Sequence, residues 1–170
     1  SDFEFRAEGG KKREYCVQHN ESDLHFVSRL LEEDGIAYYF EHSDGKHQLI
    51  LVDKPNAYSD VSETDLEYSK GNAPHAQINT WEHKYLFRKG MWTLNDYNFK
   101  EPQKDLTATI KTKSQYAKNA VYEHYEYPAF YEPNLGAEHA KICLESEEAD
   151  RDTVFGKSNC ASFYAGGKFK

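Results

Sequence analysis

Eight histidines are spread along the 170-residue chain: His19, His25, His42, His47, His75, His83, His124 and His139. A structural zinc site needs three or four converging nitrogen or sulfur ligands, commonly with two from a short-spaced pair. His42 and His47 flank Asp44-Gly45 and would face each other across a hairpin, but two ligands do not make such a site, and ordinary hairpin-end residues are the favoured reading. Glu138-His139 has no second histidine four residues away, so H-E-x-x-H is absent. The cysteines, Cys16, Cys143 and Cys160, are odd in number and widely spaced. That excludes a CxxC metal knuckle and fits reduced, buried thiols in a cytosolic protein. Gly156-Lys157-Ser158-Asn159-Cys160 is not G-x-S-x-G, and Cys160 as a nucleophile would need a base placed by the fold. A small buried residue in a strand is the expectation there. Paired carboxylates for glycoside hydrolysis carry no signal among 29 acidic residues. There is no glycine-rich phosphate loop. No catalytic, cofactor-binding or metal-ligating residue is therefore assigned, and neither hydrolase activity nor a tightly bound metal is expected. One sharp patch remains, Tyr122-Glu123-His124-Tyr125-Glu126-Tyr127. Exposed aromatics beside carboxylates stack on sugar rings, but tyrosine is also enriched at subunit interfaces, and core or interface is the favoured reading.

The elements that must place these residues are clearest from Glu14 to Asp53. Asn20 and Ser22 are good N-cap residues, and Glu21 and Asp23 suit the first turn of a helix. Leu24, Val27, Leu30 and Leu31 form an apolar stripe at helical spacing. Gly35 is expected to close the helix at positive φ. Ile36 to Phe40 and His47 to Val52 then read as two strands around Asp44-Gly45, a type I′ hairpin signal.

Phe3 and Phe5 alternate in an expected edge strand. Pro55 to Gly71 reads as a surface connection with one short strand near Leu66–Tyr68, and Asn72-Ala73-Pro74 is the candidate boundary between two subdomains. From Ile78 the period is two. Trp81, His83, Tyr85 and Phe87 share one face, expected to be core. Further strands are expected at Met91 to Asn95, around Leu106 to Ile110, and at Tyr122 to Tyr127, where Pro128 stops the run. Gln115 to Asn119 looks loose. Asn134 is the candidate cap of a helix reaching about Asp150, with Ala137, Ala140 and Leu144 on one face. Asn159 to Tyr164 reads as strand, Gly166-Gly167 as a turn, and Phe169 as the start of another strand.

Composition bounds the function. Lysine and arginine number 21 and acidic residues 29, a net charge of −8. An acidic chain has no electrostatic footprint for nucleic acid or for an anionic membrane, and no apolar run reaches the roughly 18 residues of a span. Ser1-Asp2-Phe3-Glu4 offers no signal peptide and there is no initiating Met, so a piece of a longer protein is expected. Thirteen tyrosines and ten phenylalanines against one Met suggest a sheet-rich chain.

The run from Arg13 to His42 resembles the hub region of the VgrG family, the spike of bacterial type VI secretion systems. That family's pattern is R-x-Y-C-V-Q-x-x-E-S-D-L-x-F-V-x-R-L-L-E-E-x-G-I-x-Y-Y-F-E-H, and nearly every defined position is met. Asp96-Tyr97-Asn98-Phe99 with Pro102, Tyr125-Glu126-Tyr127-Pro128, and Gly156-Lys157-Ser158 through Gly166-Gly167-Lys168-Phe169 resemble later family motifs in the same order. Ala129 stands where the family usually has glycine, which implies a local change of turn. The resemblance implies an α+β fold, mainly antiparallel β with a barrel-like subdomain and two short helices, as in phage tail hubs. Residues 1–74 would be a helix-plus-hairpin subdomain and residues 75–170 part of a barrel-like tube subdomain with one helix. It implies no enzyme, no cofactor, and a homotrimer in the full-length protein. The implied partners are the Hcp tube, baseplate components and effectors, with no nucleic acid and no membrane span. Assembly would be in the bacterial cytoplasm and secretion by the type VI system. The alternative is a carbohydrate- or effector-binding module using the Tyr-rich patch. Enzymatic activity ranks third, and would belong to an extension outside this chain.

Overall fold

Ser22 begins the first helix, α1 (Asp23–Glu33), by accepting the His25 amide on its Oγ at 3.2 Å. The helix closes as expected. Gly35 sits at φ +69°, its N–H bonds to the Glu32 carbonyl at 3.0 Å, and the Ile36 N–H bonds to the Leu31 carbonyl at 2.8 Å. This is the paired closure of a Schellman motif, and a side chain at Gly35 would add left-handed strain of about 1 kcal/mol. The computed structural model describes residues 2–10, 12–71 and 75–170; the expected boundary at Asn72-Ala73-Pro74 lies outside them.

Strand β1 (Phe3–Phe5) runs parallel to β3 (Lys46–Val52), which pairs antiparallel with β2 (Ala37–Ser43). The β2–β3 hairpin turns at Asp44-Gly45, but only Gly45 takes positive φ, +69°. A type I′ turn needs positive φ at both central residues, so the turn differs from the expected type. The short strand expected near Leu66–Tyr68 is β4 (Glu67–Tyr68), which pairs parallel with β5 (Gln77–Tyr85). Strand β6 (Met91–Leu94) pairs antiparallel with β7 (Ala108–Lys111) and parallel with β8 (Glu123–Glu126). Helix α2 (Gly136–Glu148) and β9 (Asp152–Ser158) follow, β9 lying beside β5.

The architecture is thus two helices and three small sheets, in the orders β1-β3-β2, β4-β5-β9 and β7-β6-β8. It is α+β, but each sheet whose registers are described mixes parallel and antiparallel pairs rather than being mainly antiparallel. No sheet closes on itself among the described residues, so the expected barrel is not formed by any one of them.

The chain divides into two compact units, residues 1–82 with 155–170, and residues 83–154. The first has a core of Tyr39, Ile50 and Val52, with Ala57, Tyr58 and Tyr164 packed against it. The second has a core of Leu94, Ala129 and Ala140, with Trp92, Ile110 and Tyr131 around it.

Several local expectations are corrected. Asn134 does not cap α2; the helix starts at Gly136 with Leu135 before it and no side-chain cap. A Cβ on Gly136 would lie 2.6 Å from the Tyr131 ring and 3.0 Å from the Ala108 Cβ, so close packing sets this helix start. Gly136, Ala140 and Leu144 are buried and Ala137 is exposed. The strand expected at Asn159 to Tyr164 lies earlier, at β9. Gln115 to Asn119 is anchored, not loose. Asn119 is fully buried, accepts the Tyr116 amide on Oδ1 at 3.0 Å and donates from Nδ2 to the Ser114 carbonyl at 3.2 Å. Finally, the stripe expected to be core along β5 is largely exposed at Trp81, Tyr85 and Phe87, and Phe87 lies beyond the strand.

Candidate functional site

The residues singled out for chemistry are mostly held apart. His42 and His47 are direct cross-strand partners, as their spacing suggested, at the turn end of the β2–β3 hairpin. Among the described residues no three His, Cys, Asp or Glu side chains are grouped to hold a metal ion. His139 lies on α2 with its ring 6.5 Å from Tyr131. Cys160 is buried just past β9 rather than in it, and its sulfur lies 3.4 Å from Glu63 Oε2 and 3.2 Å from Ser162 Oγ. Cys16 is exposed and Cys143 half-buried, against the expectation of three buried thiols. Burial pushes the Cys143 thiol up from its ordinary pKa, which keeps it a thiol near neutral pH. His83 Nδ1 lies 3.2 Å from both Asp152 Oδ1 and the Tyr85 hydroxyl, on an exposed strand surface. An imidazole–carboxylate pair in open water lacks a pocket that would hold a substrate.

The densest polar cluster, missed by sequence reading, is built on Arg6. Its guanidinium donates to Tyr39 Oη at 3.1 Å, Glu41 Oε1 at 2.9 Å, Ser59 Oγ at 3.0 Å and Glu4 Oε1 at 2.7 Å. Hydrogen bonding to Arg6 lowers the Glu41 and Glu4 carboxyls below their ordinary pKa. The cluster ties β1 to β2 and to the connection after β3, which is a structural task. Its effect on stability has a definite sign. A carboxyl depressed in the folded state contributes stability above its unfolded value, about pH 4.3, and loses it as pH falls through the folded value. Arg6→Met is expected to cost on the order of 1 kcal/mol at pH 7, given the partial exposure of the cluster. It should also flatten the loss of stability on acidification below that range. Urea midpoints of both chains at neutral and acid pH measure this. An acid limb unchanged in Arg6→Met would refute the assignment.

What remains after the chemistry is exposed apolar surface. In the β1-β3-β2 sheet, side chains alternate. Tyr39, Ile50 and Val52 face the core, while Tyr38, Phe40, Leu49 and Phe5 share the opposite face by register. Phe5, Tyr38 and Phe40 are 50%, 41% and 44% exposed there. No residue of α1 is buried, and Leu24 and Val27 of its stripe stand 68% and 46% exposed. Along β8, Tyr122, Tyr125 and Tyr127 are exposed, with Phe130 beyond them, while His124 stacks on Trp92 at 3.9 Å between ring centroids. An isolated soluble domain rarely leaves this much aromatic surface uncovered, and surfaces of this kind mark assembly or ligand contacts.

Comparison with known proteins gives the family. The phage tail baseplate hub (GPD) family matches residues 1–170. The type VI secretion system spike protein VgrG1c of Pseudomonas aeruginosa is 34% identical over 160 residues, covering 91% of this chain and 22% of that protein. VgrG1b of the same organism is 30% identical over 181 residues, covering the whole chain and 24% of the relative. The actin cross-linking toxin VgrG1 of Vibrio cholerae is 30% identical over 164 residues, covering 94% of this chain and 15% of the toxin. The chain thus spans between 15% and 24% of the length of these relatives. A solved structure of prophage tail protein gp18 from Listeria monocytogenes aligns with 91% of this chain and 44% of its own, at TM-score 0.45 and 16% identity. No helix among the described residues is long and apolar enough to cross a membrane. With the family matched from the first residue to the last and type VI spike proteins among its relatives, the chain belongs to the phage tail baseplate hub (GPD) family.

Proposed function

We propose that this chain is a structural part of a type VI secretion spike, a segment of the hub that joins tube to needle. The observation that carries the reading is the family match along the whole chain, together with apolar sheet and helix faces that the chain leaves exposed. In this reading the full-length protein is a homotrimer that docks on the Hcp tube, meets baseplate components and carries effectors. It assembles in the bacterial cytoplasm and leaves through the type VI system. The open sheets are completed into a barrel-like ring by further chain or by neighbouring subunits, because a sheet edge left open is a site for pairing. The work is mechanical: subunits stay joined under the load of contraction, which asks for apolar contact area rather than a reacting group.

Cutting a chain removes interface area, while the rigid-body cost of association, roughly 4–15 kcal/mol, stays about the same. The 170-residue chain is therefore expected to be monomeric or weakly associated in dilute solution. A longer chain that continues through the needle is expected to be a stable trimer. Light scattering of both at matched concentration checks this. A monomeric longer chain would remove the main physical consequence of the reading. The exposed Tyr122, Tyr125 and Tyr127 favour a second reading in that event, a carbohydrate- or effector-binding module.

A further inference from the structure

We propose that α1 of one chain docks its Leu24–Val27 stripe onto the outer face of the β1-β3-β2 sheet of a second copy of this chain, over Tyr38, Phe40, Leu49 and Phe5. The proposal rests on reading the chain as a self-assembling hub subunit, and names the surfaces that meet.

Three observations support it. The outer face of the sheet is apolar by register at Phe5, Tyr38, Phe40, Leu49 and Leu51, and an apolar sheet face packs against another layer. One face holds the core of its own unit; the other is half open. The same unit carries an amphipathic helix with no buried residue. A helix stripe laid on a sheet face covers both, as in layered folds.

Charge points the same way. In a chain of net charge −8, like-charge repulsion opposes self-contact except where carboxylates are absent. The outer sheet face carries none among its paired positions, and His42 and His47 stand at its hairpin end. The helix stripe is flanked by the exposed Asp23 and Glu32, which meet no carboxylate on that face and are repelled by the acidic remainder.

Area sets the strength. At 150–250 Å² per aromatic side chain, Phe5, Tyr38 and Phe40 still present roughly 300 Å² of surface between them. With the matching helix surface, the contact stays well below the roughly 1,200 Å² of a standard interface, so association is weak and concentration-dependent. A contact between two different surfaces of identical chains is head-to-tail and closes into a ring when its rotation divides a full turn.

The test is complementation, with the 170-residue chain in sedimentation runs from micromolar to millimolar concentration. Val27→Asp spoils the helix stripe and Phe40→Asp spoils the sheet face. Each variant alone is expected to self-associate at least about tenfold more weakly than the parent, as for a central contact residue. Their equal mixture is expected to recover a one-to-one dimer at the parent's affinity and nothing larger, because one intact helix meets one intact sheet. Spectra of the folded chain check that each variant is intact. Leu24→Glu with Tyr38→Glu forms a second pair should either substitution disturb the fold.

If both single variants associate like the parent, the contact lies elsewhere; this inference is overturned and the hub reading stands. If the singles lose association and the mixture does not recover it, the head-to-tail arrangement is overturned. A parent that stays monomeric at millimolar concentration overturns the contact too. The hub reading is then judged by the longer chain alone.

Discussion

Gly166→Ala is expected to destabilise the first unit by about 3–4 kcal/mol, from left-handed strain and overpacking together. Gly166 sits at φ +89°, where an L side chain is strained, and a Cβ there would clash with the ring of Tyr39 at Cγ, Cδ1 and Cδ2. The ring has little room to move. It is buried, stacks on Tyr58 at 5.5 Å between centroids, and packs against Ile50, Val52 and Tyr164. Its hydroxyl accepts from Arg6 and donates to Glu41 Oε1 at 3.1 Å. Gly45→Ala separates the two causes. Gly45 has φ +69° but nothing within 4 Å of a Cβ, so only the backbone cost of about 1 kcal/mol is expected there. Urea unfolding of the parent and both variants gives the difference. Equal losses in the two variants would show that the Tyr39 contact contributes nothing. Because total stabilities are about 5–15 kcal/mol, the Gly166 variant should be visibly less stable on heating as well.

Leu94→Ala is expected to cost the second unit about 3 kcal/mol, within the range for a buried leucine. Leu94 is fully buried at the end of the central strand of its sheet. Its neighbours in the core include Ala129 and Ala140, which have no side-chain length with which to fill a void. The cavity should therefore stay open, and the loss should exceed the transfer free energy of the missing carbons alone. Trp92, packed against the same core, reports the unfolding by its fluorescence. The same deletion at Leu24, on the exposed stripe of α1, is expected to change stability of the dilute chain by less than about 0.5 kcal/mol. If Leu94→Ala and Leu24→Ala prove alike, the second unit has no core of the kind described.

What was legible in the sequence was local. Ser22 caps α1 because a side-chain oxygen reaches an amide three residues on. Gly35 closes it because one residue must turn left-handed, and Asp44-Gly45 joins two strands because their ends are two residues apart. Each is an interaction within one turn of chain, so residue type and spacing determine it. The family could be read for the same reason, since its longest motif lies over that helix and hairpin. Other features were decided only by tertiary contact. Asn119 looked like part of a loose polar loop, yet is buried because Tyr116, Ser114 and Gly90 close around it. Helix α2 starts at Gly136 because Tyr131 and Ala108 leave no space for a Cβ there. Gly156 lies inside β9 because Thr80 approaches that strand, with only 3.0 Å between its carbonyl and a built Cβ. Trp81 and Phe87 have the alternation of a core face but remain exposed, as does the stripe of α1. A pattern of apolar residues states that a face must be covered. Which surface covers it, in the same chain or another, is a long-range match of shape and area that spacing along one chain does not encode.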